Sequence, residues 1–324
     1  MESYDLSVII PTASSGGLLP MALAHLEVQT YPAACFEVLV TDYGNPGEVA
    51  SLIKRYISGA PIRVRYLRAP GRNYAEAANS AIEQAEGHWL LFLDEELLAG
   101  PRLVEEHITA QQLHGGEAAI TGTVDIHPQV APYTLTKWGV WREGAPPREE
   151  EPLPSLPESP PVHYLDWRTE NLSLPRRWLD EVGGFSESDY VLARVADLSL
   201  AARLHDAGLA GFAAPQAVAY AWRATDLERE RRRIYARGYG LYLLDQQRSA
   251  EQLSSRLLPS NWWWRSKALR PFMGLFGWLC VTVSPNTRLF ALLSRHVLQY
   301  ELSRGFCDSA AGRPPRYAMG SRLC

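Results

Sequence analysis

Asp94, Glu95 and Glu96 stand side by side at the end of the apolar run "HWLLFL". Charge is costly inside a packed strand, so the trio marks where the strand leaves the core. Two readings fit. Either the acids are a polar stop, followed by a helix whose first turn favours negative side chains through its dipole, or they face a binding crevice. Asp42 closes another apolar run, "FEVLVTD", and Asp197 stands at the head of "DLSLAARLHDAGL". Taken alone, Asp197 reads plainly as a first-turn helix acid.

The elements around these acids decide where they point. "DLSVII" (5–10), "FEVLVTD" (36–42), "IRVRYLR" (62–68) and "HWLLFLD" (88–94) have the apolar runs of strands. Between them, "LLPMALAHLEVQ", "GEVASLIKRYI" and "YAEAANSAIEQAEG" have helical spacing or are rich in helix formers. "RVADLSLAARLHDAGL" (194–209) is an amphipathic helix with Gly208 in the favoured position just past its end. Alternating strands and helices predict an α/β fold with a doubly wound, mainly parallel sheet, whose ligands bind at the carboxyl ends of the strands. Asp94 lies at such an end.

Composition excludes several classes. The 324 residues are 46% hydrophobic and 21% charged, an ordinary globular balance. Cys35, Cys280, Cys307 and Cys324 form no CxxC pair or zinc spacing, which fits a reducing cytosol. The N-terminus "MESYDLSVII" has acids where a signal peptide carries basic residues, so no targeting segment is expected. Neither GxGxxG nor GxxxxGK[ST] occurs, so dinucleotide-binding and P-loop proteins lack their phosphate loop here. Residues 144–163 hold seven prolines and four glutamates and read as a surface loop inside one domain.

Taken in order, the segments resemble the family 2 inverting glycosyltransferases of GT-A fold over residues 5–225: "SVIIPT", "QTYP", "FEVLVTDYG" at the family's DDGS position, "FLDEE" at its DxD position, then "NLSLPRRWLDEVGGF" and "ADLSLAARLHDAGL". The resemblance implies a GT-A Rossmann-like catalytic domain over 1–225. It also implies transfer of a sugar from a nucleotide diphosphate donor, UDP- or dTDP-linked, to a glycan, lipid-linked or small-molecule acceptor. A pyrophosphate leaving group gathers negative charge, so Mn2+ or Mg2+ is implied, held by Asp94 and Glu96 as hard oxygen ligands. Pro11, Thr12, Asp42, Asn79, Asp94 and Glu95 would line the donor nucleotide, with Asp42 accepting from the imide N–H of a uracil or thymine. Asp197 would be the general base on the acceptor hydroxyl. Trp138, Trp141 and Trp167 flank the proline-rich loop and offer flat faces to an acceptor, although tryptophans also serve as core residues.

The chain departs from the family at four polar positions, which hold Tyr43, Ala78, Ala196 and Trp222. These departures support a rival reading, a catalytically silent GT-A domain serving as a binding or assembly subunit. A nucleotidyltransferase is a second rival, but "PTASSGG" lacks the basic residue of a triphosphate loop.

Charge divides the chain. Residues 1–222 carry 15 Lys/Arg against 29 Asp/Glu, whereas 223–324 carry 17 against 7. The basic part, 226–324, also contains "NWWWRSK" and a 13-residue apolar run at 271–283. Spanning a bilayer takes ~20 apolar residues, so the expectation is a helical, membrane-associating tail. It would lie peripherally on the cytoplasmic face of the cell membrane, with arginines drawn to anionic lipid. The alternative is a helical pair packed on the catalytic domain or on a second subunit in a homodimer. No nucleic-acid partner is expected.

Overall fold

The computed structural model describes residues 4–13, 17–44, 47–57, 59, 61–71, 73–129, 159–187, 195–222, 227–248, 258, 275, 279 and 288–317. Eight strands, β1 (Leu6–Thr12), β2 (Phe36–Asp42), β3 (Arg63–Arg68), β4 (Trp89–Leu93), β5 (Leu97–Ala99), β6 (Ala118–Ile126), β7 (Asn171–Pro175) and β8 (Ala210–Ala221), form one sheet in the order β3-β2-β1-β4-β7-β6-β8-β5. β7 runs antiparallel to β4 and β6, and β5 antiparallel to β8. The other pairings are parallel. Six strands therefore share one direction, and the sheet is mixed but mainly parallel, as the alternation of elements predicts.

Strand parity builds three layers. Leu6, Val8 and Ile10 of β1, Val38 and Val40 of β2 and Leu91 and Leu93 of β4 face one side. They meet α1 (Leu19–Glu27), α2 (Glu48–Ile57) and α4 (Leu103–Leu113) there. Ile9, Leu39, Leu90 and Phe92 face the other side, against α3 (Tyr74–Gln84), α5 (Arg176–Val182) and α6 (Ala196–Asp206). All residues of β1, β2 and β4 are buried, which explains why these runs lack polar alternation. Each fully buried Leu, Val or Ile contributes about 1.5–3 kcal/mol of transfer free energy. The N-terminus of α3 is capped by Asn73, whose Oδ1 accepts from the Glu76 N–H at 2.9 Å. α6 ends as expected, with Gly208 in the left-handed region at φ +102°.

After Leu93 the chain turns at the acidic trio and enters β5, not a helix; α4 begins only at Leu103. Asp94–Glu96 are therefore not first-turn helix acids.

The C-terminal region contributes α7 (Leu227–Gln247) and α8 (Arg288–Ala310), which pack on each other. They meet at backbone distance. A Cβ on Gly238 would lie 1.9 Å from the Leu302 carbonyl oxygen, and one on Gly305 2.0 Å from that of Tyr235. Leu241 and Leu244 of α7 join the core layer that holds α6, with Leu302 and Phe306 of α8 against it. Arg248 makes a two-pronged pair with Asp206 at the end of α6, at 2.7 and 2.8 Å. No helix among the described residues is long and apolar enough to cross a membrane. "NWWWRSK" and most of 271–283 lie outside the described residues.

Candidate active site

One edge of the sheet collects the acids. Thr12, Asp42 and Asp94 end or follow β1, β2 and β4, which are mutually parallel. Because β7 is antiparallel, its beginning lies at that same edge: Leu93 pairs with Asn171, and the Asp94 N–H donates to the Glu170 carbonyl at 3.2 Å. His127 and Trp222 follow the ends of β6 and β8 at this edge as well.

Local hydrogen bonds shape the acidic turn. Asp94 Oδ1 accepts the Glu96 N–H at 2.9 Å, and the Thr12 hydroxyl donates to Glu95 Oε2, tying β1 to the turn. The Trp222 N–H donates to the Glu96 carbonyl at 3.3 Å, and the Trp222 ring lies 4.4 Å from that of His127. Among the described residues Asp94 Oδ2 takes no hydrogen bond, and no group of three or more His, Cys, Asp or Glu encloses a metal position. Asp94 and Glu96 offer carboxylate oxygens, the hard donors that a divalent cation such as Mn2+ or Mg2+ takes.

Glu170 is the central acid that sequence reasoning missed. Burial pushes its carboxyl above the usual carboxylate range; the Arg168 and Arg233 guanidiniums oppose this, and the Asp94 and Asp197 carboxylates add to it. These five groups form one electrostatic cluster. Asp197 occupies the first turn of α6, partly buried, with Oδ1 accepting the Leu198 N–H at 2.9 Å. Beneath Glu170, the next residue is locked. Asn171 accepts at Oδ1 from the His107 ring (2.8 Å) and donates to the carbonyls of Thr123 and Ala217 at 3.1 and 2.9 Å. Burial pushes the His107 imidazole down to about 4, so it is neutral there and donates from Nε2 to Asn171.

Asp42 is fully buried. Its Oδ1 accepts from Gly44 N–H at 2.8 Å and pairs with Arg68 at 3.1 Å, and its Oδ2 accepts from the Tyr66 hydroxyl at 3.0 Å. Asn79 spends its amide on the turn after α5, donating to the Phe185 carbonyl at 2.9 Å and accepting from the Phe185 N–H at 2.8 Å. Pro11 is a buried residue of β1.

Trp167 corrects an expectation. It is 1% exposed, its indole donates to the Val162 carbonyl at 3.3 Å, and a Cβ on Gly211 would lie 2.0 Å from its Nε1. It fills the core and presents no face to an acceptor. Trp138 and Trp141 lie outside the described residues, as do positions 144–158 of the proline-rich loop. At the four departures, Ala78 and Ala196 are core residues, Tyr43 packs on Ala69 and Ala77, and Trp222 lies against His127.

The mainly parallel sheet with acids at its carboxyl edge is an α/β fold of GT-A type, and solved structures share it. A mannosyltransferase of Pyrobaculum calidifontis, determined in complex with GDP-Man and Mn2+, aligns at a TM-score of 0.59 and 15% identity, covering 97% of this chain and 89% of that one. Residues 1–349 of TarS from Staphylococcus aureus, in complex with UDP, align at 0.53 and 16% identity, covering 96% and 93%. In sequence, residues 7–167 match the model for glycosyl transferase family 2, and the chain belongs to that family. The validoxylamine A glucosyltransferase of Streptomyces hygroscopicus subsp. jinggangensis is 30% identical over 226 residues, 63% of this chain and 52% of that protein. The chain spans about half the length of the curated validoxylamine relatives it matches.

Proposed function

We propose that this protein is a metal-dependent, inverting glycosyltransferase that moves a sugar from a nucleoside diphosphate donor to an acceptor hydroxyl. The observation that carries the reading is that Asp42, Asp94 and Glu170 meet at the carboxyl edge of the sheet, where the Asp94 N–H donates to the Glu170 carbonyl at 3.2 Å. Like charges gathered at one point call for a cation or a proton from outside. A divalent cation, Mn2+ or Mg2+, held by Asp94 and Glu96 would supply charge neutralisation to the departing diphosphate. Asp197 takes the acceptor hydroxyl proton as that oxygen bonds to the anomeric carbon, and the electron pair of the broken glycosidic bond leaves with the diphosphate. One displacement inverts the anomeric centre.

Donor recognition falls to Pro11, Thr12, Asp42, Asn79, Asp94 and Glu95. Asp42 is the candidate for the base imide, favouring a UDP- or dTDP-linked sugar. Tyr66 and Arg68 hold its carboxylate. The acceptor is a glycan, a lipid-linked sugar or a small hydroxylated molecule. The basic surplus of 223–324, 17 Lys/Arg against 7 Asp/Glu, supports peripheral contact of that region with an anionic membrane surface, and homodimerisation through it is the alternative use. The four departures favour the silent-domain reading as second choice.

Donor hydrolysis and transfer, screened over UDP-, dTDP- and GDP-linked sugars with and without Mn2+, tests the proposal. Asp94→Asn should abolish Mn2+-dependent nucleotide binding while the protein stays folded, since its carboxylate lies at a strand end. Binding equal to the parent's removes Asp94 from the metal site. Nucleotide binding without turnover of any donor selects the silent domain.

A further inference from the structure

Helix α4 and strand β7 bring four polar side chains together inside the apolar layer on their side of the sheet. His107 and Gln111 are one helical turn apart on α4, and Asn171 and Ser173 are two residues apart on β7, so each pair shares a face. All four are fully buried. Burying them costs free energy unless they are hydrogen-bonded, and the bonds that they make run in one direction. The Asn171 amide nitrogen donates to the Thr123 and Ala217 carbonyls at 3.1 and 2.9 Å, which turns its Oδ1 towards His107. That oxygen only accepts, so His107 carries its proton on Nε2, 2.8 Å away, and its bare Nδ1 accepts from the Ser173 hydroxyl at 3.0 Å. Burial keeps the imidazole neutral, which fixes this tautomer. Gln111 donates in turn to Ser173 at 3.1 Å and to the Ala118 carbonyl at 3.0 Å. Its Oε1 has no hydrogen-bond partner among the described residues and ends the chain.

Asn171 sits where the sheet is irregular. The pairing of β6 with β8 steps from Gly122–Ala214 to Thr123–Val218, so residues 215–217 have no partner in that ladder. Such a bulge interrupts the ladder, and the Asn171 amide meets a carbonyl from each strand at the break. A Cβ on Gly122 would lie 2.3 Å from the amide nitrogen, so glycine leaves it room. Beyond the break β6 and β8 run on to the carboxyl edge, where the Trp222 N–H holds the Glu96 carbonyl. At the same residue the Asn171 N–H closes the turn from the Arg168 carbonyl at 3.2 Å, and the Glu170 carbonyl in that turn holds the Asp94 N–H.

Resting on the metal reading above, we infer that Asn171, oriented by His107, is a positioning residue that sets the spacing of Asp94 and Glu96. Each of these acids is tied through its backbone to a segment that Asn171 clamps: Asp94 to the start of β7, Glu96 to the end of β8. The acidic turn thus rests on two supports, and one buried amide joins them. Two carboxylates on a short turn share a cation only when their oxygens reach the same point, so a shift of either support changes metal affinity before it changes the fold.

The experiment titrates UDP and GDP by calorimetry, with and without Mn2+, into the full-length parent, Asn171→Ala, His107→Leu, His107→Gln and Gln111→Met, with urea unfolding for stability. The readout is the gain in diphosphate affinity that Mn2+ brings. Asn171→Ala should cut this gain by about 10- to 100-fold, the range for removing groups that orient metal ligands, with affinity in the absence of Mn2+ unchanged. His107→Leu should cut it less, since both carbonyl bonds remain, and His107→Gln, whose amide N–H replaces the Nε2 proton, should restore it. Gln111→Met severs the chain at its far end and should lower stability with the gain unchanged. A parental gain in folded Asn171→Ala overturns the inference while the metal reading stands; if that variant does not fold, a parental gain in His107→Leu overturns it. An equal loss in Gln111→Met and Asn171→Ala also overturns it, since the network then serves stability alone. A parent whose diphosphate affinity is indifferent to Mn2+ overturns the metal reading and the inference together.

Discussion

Carboxylates occupy two contrasting settings in this chain. In the C-terminal helix pair, Glu301 is 1% exposed and meets Arg231 at 2.7 Å, and Asp308 meets Arg313 at 2.9 Å and the Tyr235 hydroxyl at 3.1 Å. These acids are neutralised by the chain's own cations and hold α7 to α8. At the carboxyl edge of the sheet, the Asp94 and Asp197 carboxylates both act on that of Glu170, and Asp94 keeps an oxygen without a hydrogen-bond partner among the described residues. The contrast shows why an acid count identifies no site. What distinguishes the candidate acids is that carboxylates as well as guanidiniums act on Glu170, whereas each acid of the helix pair meets an arginine directly.

Three substitutions sharpen or break this contrast. Asp197→Asn keeps shape but cannot take a proton at neutral pH, so transfer should fall by about 10²- to 10⁴-fold with donor affinity nearly unchanged. Steady-state kcat together with equilibrium donor binding checks this, and equal turnover would exclude Asp197 from the chemistry. In the helix pair, Arg231→Met strands Glu301 in the interior and should cost about 3–5 kcal/mol in urea unfolding. The double variant with Glu301→Gln should recover part of that loss; a single variant as stable as the parent would mean that the pair contributes little.

The smallest effect concerns pH. His107 has its folded value lowered from 6.5 to about 4, so between those limits the unfolded chain binds more protons and stability rises with pH. Acidifying from pH 6.5 to pH 5 should remove about 2 kcal/mol through this group, and His107→Gln should flatten that portion of the curve. A profile equally steep in the variant would assign the dependence elsewhere.

Much of the acidic edge was legible because it follows from local pattern. Asp42 and Asp94 each end an apolar run, and parallel strands carry such ends to one side. Asp197 was legible as the acid at the head of an amphipathic helix. Glu170 was not, since only the antiparallel register of β7 against β4 brings the residue before Asn171 to that edge, and pairing across 78 positions, from Leu93 to Asn171, leaves no local trace. Trp167 misled because a tryptophan beside a loop looks the same in sequence whether its ring faces outward or, as here, fills the space over Gly211. The bond of the Asn79 amide to Phe185, across 106 residues, likewise leaves no local trace.

The contact at Gly238 and Gly305 has a bearing on motion. Where two helices touch through backbone, no side chain can swing aside to let one loosen alone, so α7 and α8 should open as one cooperative unit with a common free energy in native-state hydrogen exchange. Loss of the Arg248–Asp206 pair, which ties the end of α7 to α6, would then speed amide exchange in α8 as well, although α8 contributes neither residue of the pair.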